Sequence, residues 1–105
     1  MSQPFALTAV ARGRLLALTG RLDVTAAADA RQALAVALDE GEGELVLDLA
    51  ALEAVDVTGL GVLVGAHRRA GRSGRTLVLR DVPASVGRLL QVTRLNRVLH
   101  QDSAA

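Results

Sequence analysis

The 105-residue chain has no cysteine and no lysine, a single aromatic residue in Phe5, and no apolar run near the length of a membrane-spanning helix. Each absence removes a class of function. Without cysteine there is no disulfide framework and no thiol chemistry, and the only two histidines, His67 and His100, fall in different segments without ligand spacing, so no zinc site is expected. Without lysine, a Walker-type phosphate-binding loop is excluded. A chain with one ring offers no stacking platform to nucleic acid, so no direct nucleic-acid partner is expected. A membrane span needs roughly 18 or more consecutive apolar residues. None is present, and no basic stretch leads into a long apolar segment, so the expectation is a cytoplasmic protein without membrane contact.

What the chain does have is apolar mass. Half of its residues are hydrophobic, enough for one compact core and too little chain for two ordinary domains, so one domain is expected over residues 5–100. Twelve basic and eleven acidic residues nearly cancel, and the net charge of +1 decides little about partners. The nearest thing to a cationic patch is Arg68, Arg69, Arg72 and Arg75 at the end of one segment, where cations complement a helix C-terminus without any ligand.

Along the chain, 1–4 read as a loose end. Phe5 to Val10 and Arg14 to Thr19 are short apolar runs around Ala11-Arg12-Gly13, the pattern of an antiparallel hairpin. Gly20-Arg21-Leu22-Asp23 ends the second strand. Ala27, Ala30, Leu34 and Leu38 then mark one helical face, with Asp23 or Thr25 as cap and Gly41 as stop. Leu45 to Leu49 is short, branched and leucine-rich, which suits a buried parallel strand. Residues 50–55 are too few for a further full element. A second helix follows Thr58 with Leu60, Leu63, Val64 and His67 on one face, ending at Gly71. Thr76 to Leu79 form a strand, and Asp81-Val82-Pro83 opens a last helix bearing Val86, Leu89 and Leu90. Val98-Leu99 make a short final strand, and 101–105 a polar tail. The order is β-β-α-β-α-β-α-β, an α/β domain with a mixed, mostly parallel sheet and right-handed crossovers. In such a sheet the loops after successive parallel strands share one edge, which brings Asp23 to the same side as Asp56, Val57 and Thr58.

The most informative stretch is Asp56-Val57-Thr58-Gly59-Leu60-Gly61, where the strand pattern gives way to the helical one. Thr58 stands at a helix start, where a hydroxyl commonly caps a free backbone N–H and where Asp56 suits the positive end of the dipole. The same position is favourable for a phosphate, because free N–H groups and the dipole accept an added charge of about −1.5 to −2, which Asp56 would oppose. The pattern leaves both readings open. Gly59 to Gly65 imitates a dinucleotide fingerprint, with Asp81 downstream, but the run does not follow its strand directly and no second half completes a cofactor cleft. Close packing of helix on sheet accounts for the glycines more simply. No base stands beside Asp56 and Thr58, so no catalytic centre assembles and no cofactor is expected.

These residues resemble the signature of the STAS domain in bacterial anti-sigma factor antagonists. Leu45-Val46-Leu47-Asp48-Leu49 matches its buried strand ending in Asp-Leu, and Asp56 to Gly61 its Asp-Ser-Ser-Gly-Leu-Gly. Gly20-Arg21-Leu22-Asp23 is similar to its Gly-x-Leu-Asp, and Leu77 to Leu79, Pro83, Val86, Leu89, Leu90 and Leu95 follow its C-terminal pattern. Two positions depart, with Thr58 where serine is usual and Val57 where a small polar residue is common. The resemblance implies partner switching, with Thr58 the phosphoacceptor and Asp23, Asp56, Val57, Thr58, Gly59 and Leu60 the partner-binding residues. The implied partners are an anti-sigma factor with serine/threonine kinase activity, bound by the unphosphorylated chain, and a phosphatase that acts on phospho-Thr58 and so restores that affinity. Two alternatives remain: a STAS scaffold or transporter subunit that does not switch, and a small nucleotide-binding protein.

Overall fold

The computed structural model describes residues 4–102, so the ends expected at 1–3 and 103–105 lie outside the described residues. Strands β1 (Ala6–Ala11) and β2 (Leu15–Leu22) form the hairpin, turning at Gly13, whose φ of +70° favours glycine. Helix α1 (Ala27–Asp39) leads to β3 (Glu44–Asp48), and β4 (Leu52–Val55) precedes α2 (Val57–Arg72). The chain finishes with β5 (Thr76–Arg80), α3 (Ala84–Val92), a 3-10 turn at Leu95–Arg97, and β6 (His100–Asp102).

The sheet runs β1-β2-β3-β5-β6, antiparallel only in its opening hairpin and parallel from β2 onward. Alternation along the strands sends Leu16, Leu18 and Leu22 of β2, Leu45 and Leu47 of β3, and Leu77 and Leu79 of β5 to one face. There they meet the inward residues of all three helices in one core, with Leu34, Leu63 and Leu90 at its centre. The α1 face is the expected one, Ala27, Ala30, Leu34 and Leu38. In α2 the buried face is turned from the expected phase, taking in Gly59, Leu60, Val62, Leu63, Ala66 and Ala70 and leaving Val64 and His67 half-buried. Gly59 lays its bare backbone on β2: a Cβ there would stand 2.1 Å from the Leu22 carbonyl oxygen.

The sixth strand is a correction to the sequence reading, since 50–55 contain β4. Four residues suffice because the element only extends an existing edge. The first half of β2 pairs with β3 (Leu15–Ala17 against Val46–Asp48), and its second half pairs with β4 (Gly20–Leu22 against Leu52–Val55). The changeover falls at Gly20, at a φ of +80° and an irregularity in register. The last strand is also displaced, to His100–Asp102, because Leu95 to Val98 turn as a 3-10 segment before the chain reaches the edge of β5.

Arg75 departs from the surface patch in which the sequence grouped it. It is buried, and its guanidinium donates to the carbonyls of Ala37 and Leu38 at the end of α1, of Gly13 in the hairpin turn, and of Gly43. It therefore complements the C-terminus of α1, not that of α2.

Candidate functional site

Because β4 lies beside the end of β2, the residues that follow both strands emerge together. The Asp56 backbone N–H donates to the Leu22 carbonyl at 3.3 Å, continuing the pairing by one residue. Asp56 then leaves the strand with extended backbone and becomes the N-cap of α2, its Oδ1 accepting from the Gly59 N–H at 2.8 Å. Its other oxygen, Oδ2, accepts from the Val24 N–H at 3.2 Å. Asp23 makes the matching turn on its own side, Oδ1 accepting from the N–H groups of Thr25 and Ala26 at 3.0 and 3.2 Å. Arg21, Asp23, Val24, Ala54, Val55 and Asp56 line one shallow depression of about 190 Å³.

The two carboxylates expected on one edge are thus brought together, and each is committed to backbone N–H groups. The cap expected of Thr58 belongs instead to Asp56, because the helix begins at Val57 and only Asp56 has the non-helical backbone a capping side chain requires. Thr58 sits one residue inside the helix, half-buried, and its hydroxyl makes no hydrogen bond with any described residue. Three more of the residues singled out in the motif divide by exposure. Val57 is 79% exposed, whereas Gly59 is buried and Leu60 is only 4% exposed, so these last two face the core and hold the site from beneath.

Sequence reasoning missed Val24, which is 69% exposed and whose backbone N–H is tied to Asp56. The available signal was an apolar residue placed just after the strand had ended, where a turn would ordinarily be polar. The glycine explanation also divides. A Cβ at Gly61 or Gly65 would meet nothing within 4 Å, so close packing accounts for Gly59 alone. His67 and His100 do meet, ring centroids 5.7 Å apart, although no spacing in the chain joins them. Among the described residues no group of three or more His, Cys, Asp or Glu is arranged to hold a metal, and no helix is long and apolar enough to cross a membrane.

The family model described as "Mlab, STAS domain" matches residues 5–100. An anti-sigma-B factor antagonist of Staphylococcus epidermidis is 30% identical over 81 residues, covering 77% of this chain and 75% of that protein. The fold is similar to that of the anti-sigma factor antagonist SpoIIAA in its unphosphorylated form, with a TM-score of 0.76 at 20% identity over 97% of this chain and 89% of SpoIIAA. The phosphorylated form of SpoIIAA, the Bacillus cell fate determinant, gives a TM-score of 0.68 at 20% identity over 97% of this chain and 92% of the other.

Proposed function

Because the chain belongs to the STAS-domain anti-sigma factor antagonist family, we propose that it works by partner switching, with Thr58 as the phosphoacceptor. Unphosphorylated, it binds an anti-sigma factor that is also a serine/threonine kinase, and the sigma factor is released. Phosphorylated at Thr58, it loses that affinity until a phosphatase removes the group. The chain acts by binding and not by catalysis, in the cytoplasm, and the nucleotide and magnesium of the transfer belong to the kinase.

The observation that carries this reading is the unengaged Thr58 hydroxyl beside a carboxylate that already caps the helix. A capping hydroxyl would have to give up its bond to be modified, and Thr58 has none to give up among the described residues. A phosphate there gains from the N-terminal dipole of α2, so the helix tolerates it. A partner surface tolerates it less. Asp56 is tied to Val24 and shares a depression with Asp23, and a charge of about −2 added two residues away at Thr58 brings repulsion against acidic partner groups and a desolvation cost on docking.

Titration of the anti-sigma partner with wild type, Thr58→Ala and Thr58→Asp tests this. Thr58→Ala should bind as wild type does, and Thr58→Asp should fold normally and bind more weakly. Equal affinity of the partner for wild type and for the phosphorylated chain would refute the switch.

A further inference from the structure

The strand order β1-β2-β3-β5-β6 makes β1 and β6 the two ends of the sheet, and the two are built differently. Strand β6 is three residues long, carries His100 and Asp102, and has Asp102 within 3.9 Å of Arg80. Shortness and charge are ordinary means of keeping a sheet edge from pairing. Strand β1 has neither. It is six residues long, reads Ala-Leu-Thr-Ala-Val-Ala, and is exposed at every position but Leu7. No charged residue falls between Phe5 and Ala11.

On its inner side β1 pairs antiparallel with β2, and among the described residues no backbone hydrogen bond joins Ala6 to Val10 with any other element. An edge strand directs alternate N–H and C=O groups outward, where they form a template for a further strand. Phe5 and Leu7 pack against the core and hold this strand in place, so pairing costs it little conformational freedom. Val10, without a register partner in β2 between Ala9 and Ala11, is 63% exposed. Nothing in this feature depends on the phosphoacceptor reading.

We propose that β1 pairs antiparallel with β1 of a second copy of this chain, about a two-fold axis through Thr8 and perpendicular to the sheet. The open edge is bounded by Pro4, which has no N–H, and by the hairpin turn that begins at Arg12, and Thr8 is the midpoint between them. In that register Thr8 faces its own counterpart, a favourable cross-strand pair, and Val10 stands opposite Ala6 with no like charges opposed. The ends are complementary in charge. Arg12, paired with Glu40 at 3.0 Å and still 81% exposed, falls opposite Pro4 of the other copy, and Pro4 lines a depression that holds Asp23 and Asp29 along with Arg21. The contact also closes on itself, because it uses β1 of both copies and the short, charged β6 offers no second template.

Sedimentation equilibrium of the full chain is the test. One short strand on each side makes a small interface, so the expected result is a reversible dimer with a dissociation constant on the order of 100 μM. Thr8→Lys, at an exposed position, sets like charges across the axis and should weaken the dimer about tenfold at an unchanged Tm. Because the chain has no cysteine, Thr8→Cys reports the register. Opposed residues in an antiparallel pair lie about 4.5–5.5 Å apart at Cα, within disulfide reach, so oxidation should give a covalent dimer. Ala6→Cys, four residues out of line with its counterpart and roughly 13 Å from it, should not crosslink. If Thr8→Lys fails to fold, the two cysteine variants decide the matter. A chain that stays monomeric to about 1 mM, its edge left to a strand of some other protein, would overturn the proposal. So would assembly beyond the dimer, a dimer indifferent to Thr8→Lys, or equal crosslinking at positions 6 and 8.

Discussion

The backbone N–H of Val24 donates to the carboxylate of Asp56 at 3.2 Å, across 32 residues of sequence. That bond joins the loop after β2 to the start of α2, while the other oxygen of the same carboxylate caps the helix. One side chain therefore fixes both segments that present the candidate surface. Asp56→Ala should cost about 1–2 kcal/mol from the cap alone. Asp56→Asn should cost less, because its amide oxygen still accepts from the Gly59 N–H. Denaturant midpoints of both variants check this, and equal losses would show that charge and not hydrogen-bond geometry dominates.

Gly59 and Gly61 should respond in opposite directions to the same change. Gly59→Ala places a methyl 2.1 Å from the Leu22 carbonyl and 2.9 Å from Val55, so either the helix moves off β2 or the strand shifts. The expected loss is about 3 kcal/mol, the upper end for overpacking. Gly61→Ala meets nothing and should gain up to about 1 kcal/mol of helix propensity. Thermal melts of the two variants make the comparison.

Arg75→Leu should destabilise the chain by about 3–5 kcal/mol, because it strips a charged donor from several buried or half-buried carbonyls and returns no partner to them. Arg72→Leu, at an exposed position on the same stretch, should change stability by less than about 0.5 kcal/mol. Urea titration distinguishes a clamp from a surface cation.

Leu63 is fully buried at the contact of α2 with the sheet, and Leu63→Ala should cost about 2–5 kcal/mol through lost burial and the cavity left behind. A midpoint close to wild type would contradict the position of α2.

The sequence disclosed these relationships unevenly, and the reasons are physical. The inward face of α1 was legible from helical spacing, and β3 and β5 from their compact apolar runs. The strand β4 was not. Leu52–Val55 has no internal period to recognise, and it is a strand only because the second half of β2 offers it an edge. The buried face of α2 includes Gly59, Val62 and Ala66, and the close approach of Gly59 to Leu22, a contact between distant segments, leaves no local pattern. The capping residue was misjudged for a related reason. Asp56 and Thr58 are both competent caps by type, and only the extended backbone at Asp56 decides between them. Arg75 reads as a surface cation until the hairpin turn and the end of α1 are folded around it.

The most direct test of the account is intact-mass spectrometry after the chain is incubated with its anti-sigma partner and ATP. Wild type should gain one phosphate, and Thr58→Ala should gain none while its stability stays within about 0.5 kcal/mol of wild type, because the hydroxyl holds no bond that the substitution would break. A phosphate on Thr58→Ala, or an unmodified wild type alongside an active kinase that binds it, would contradict the account.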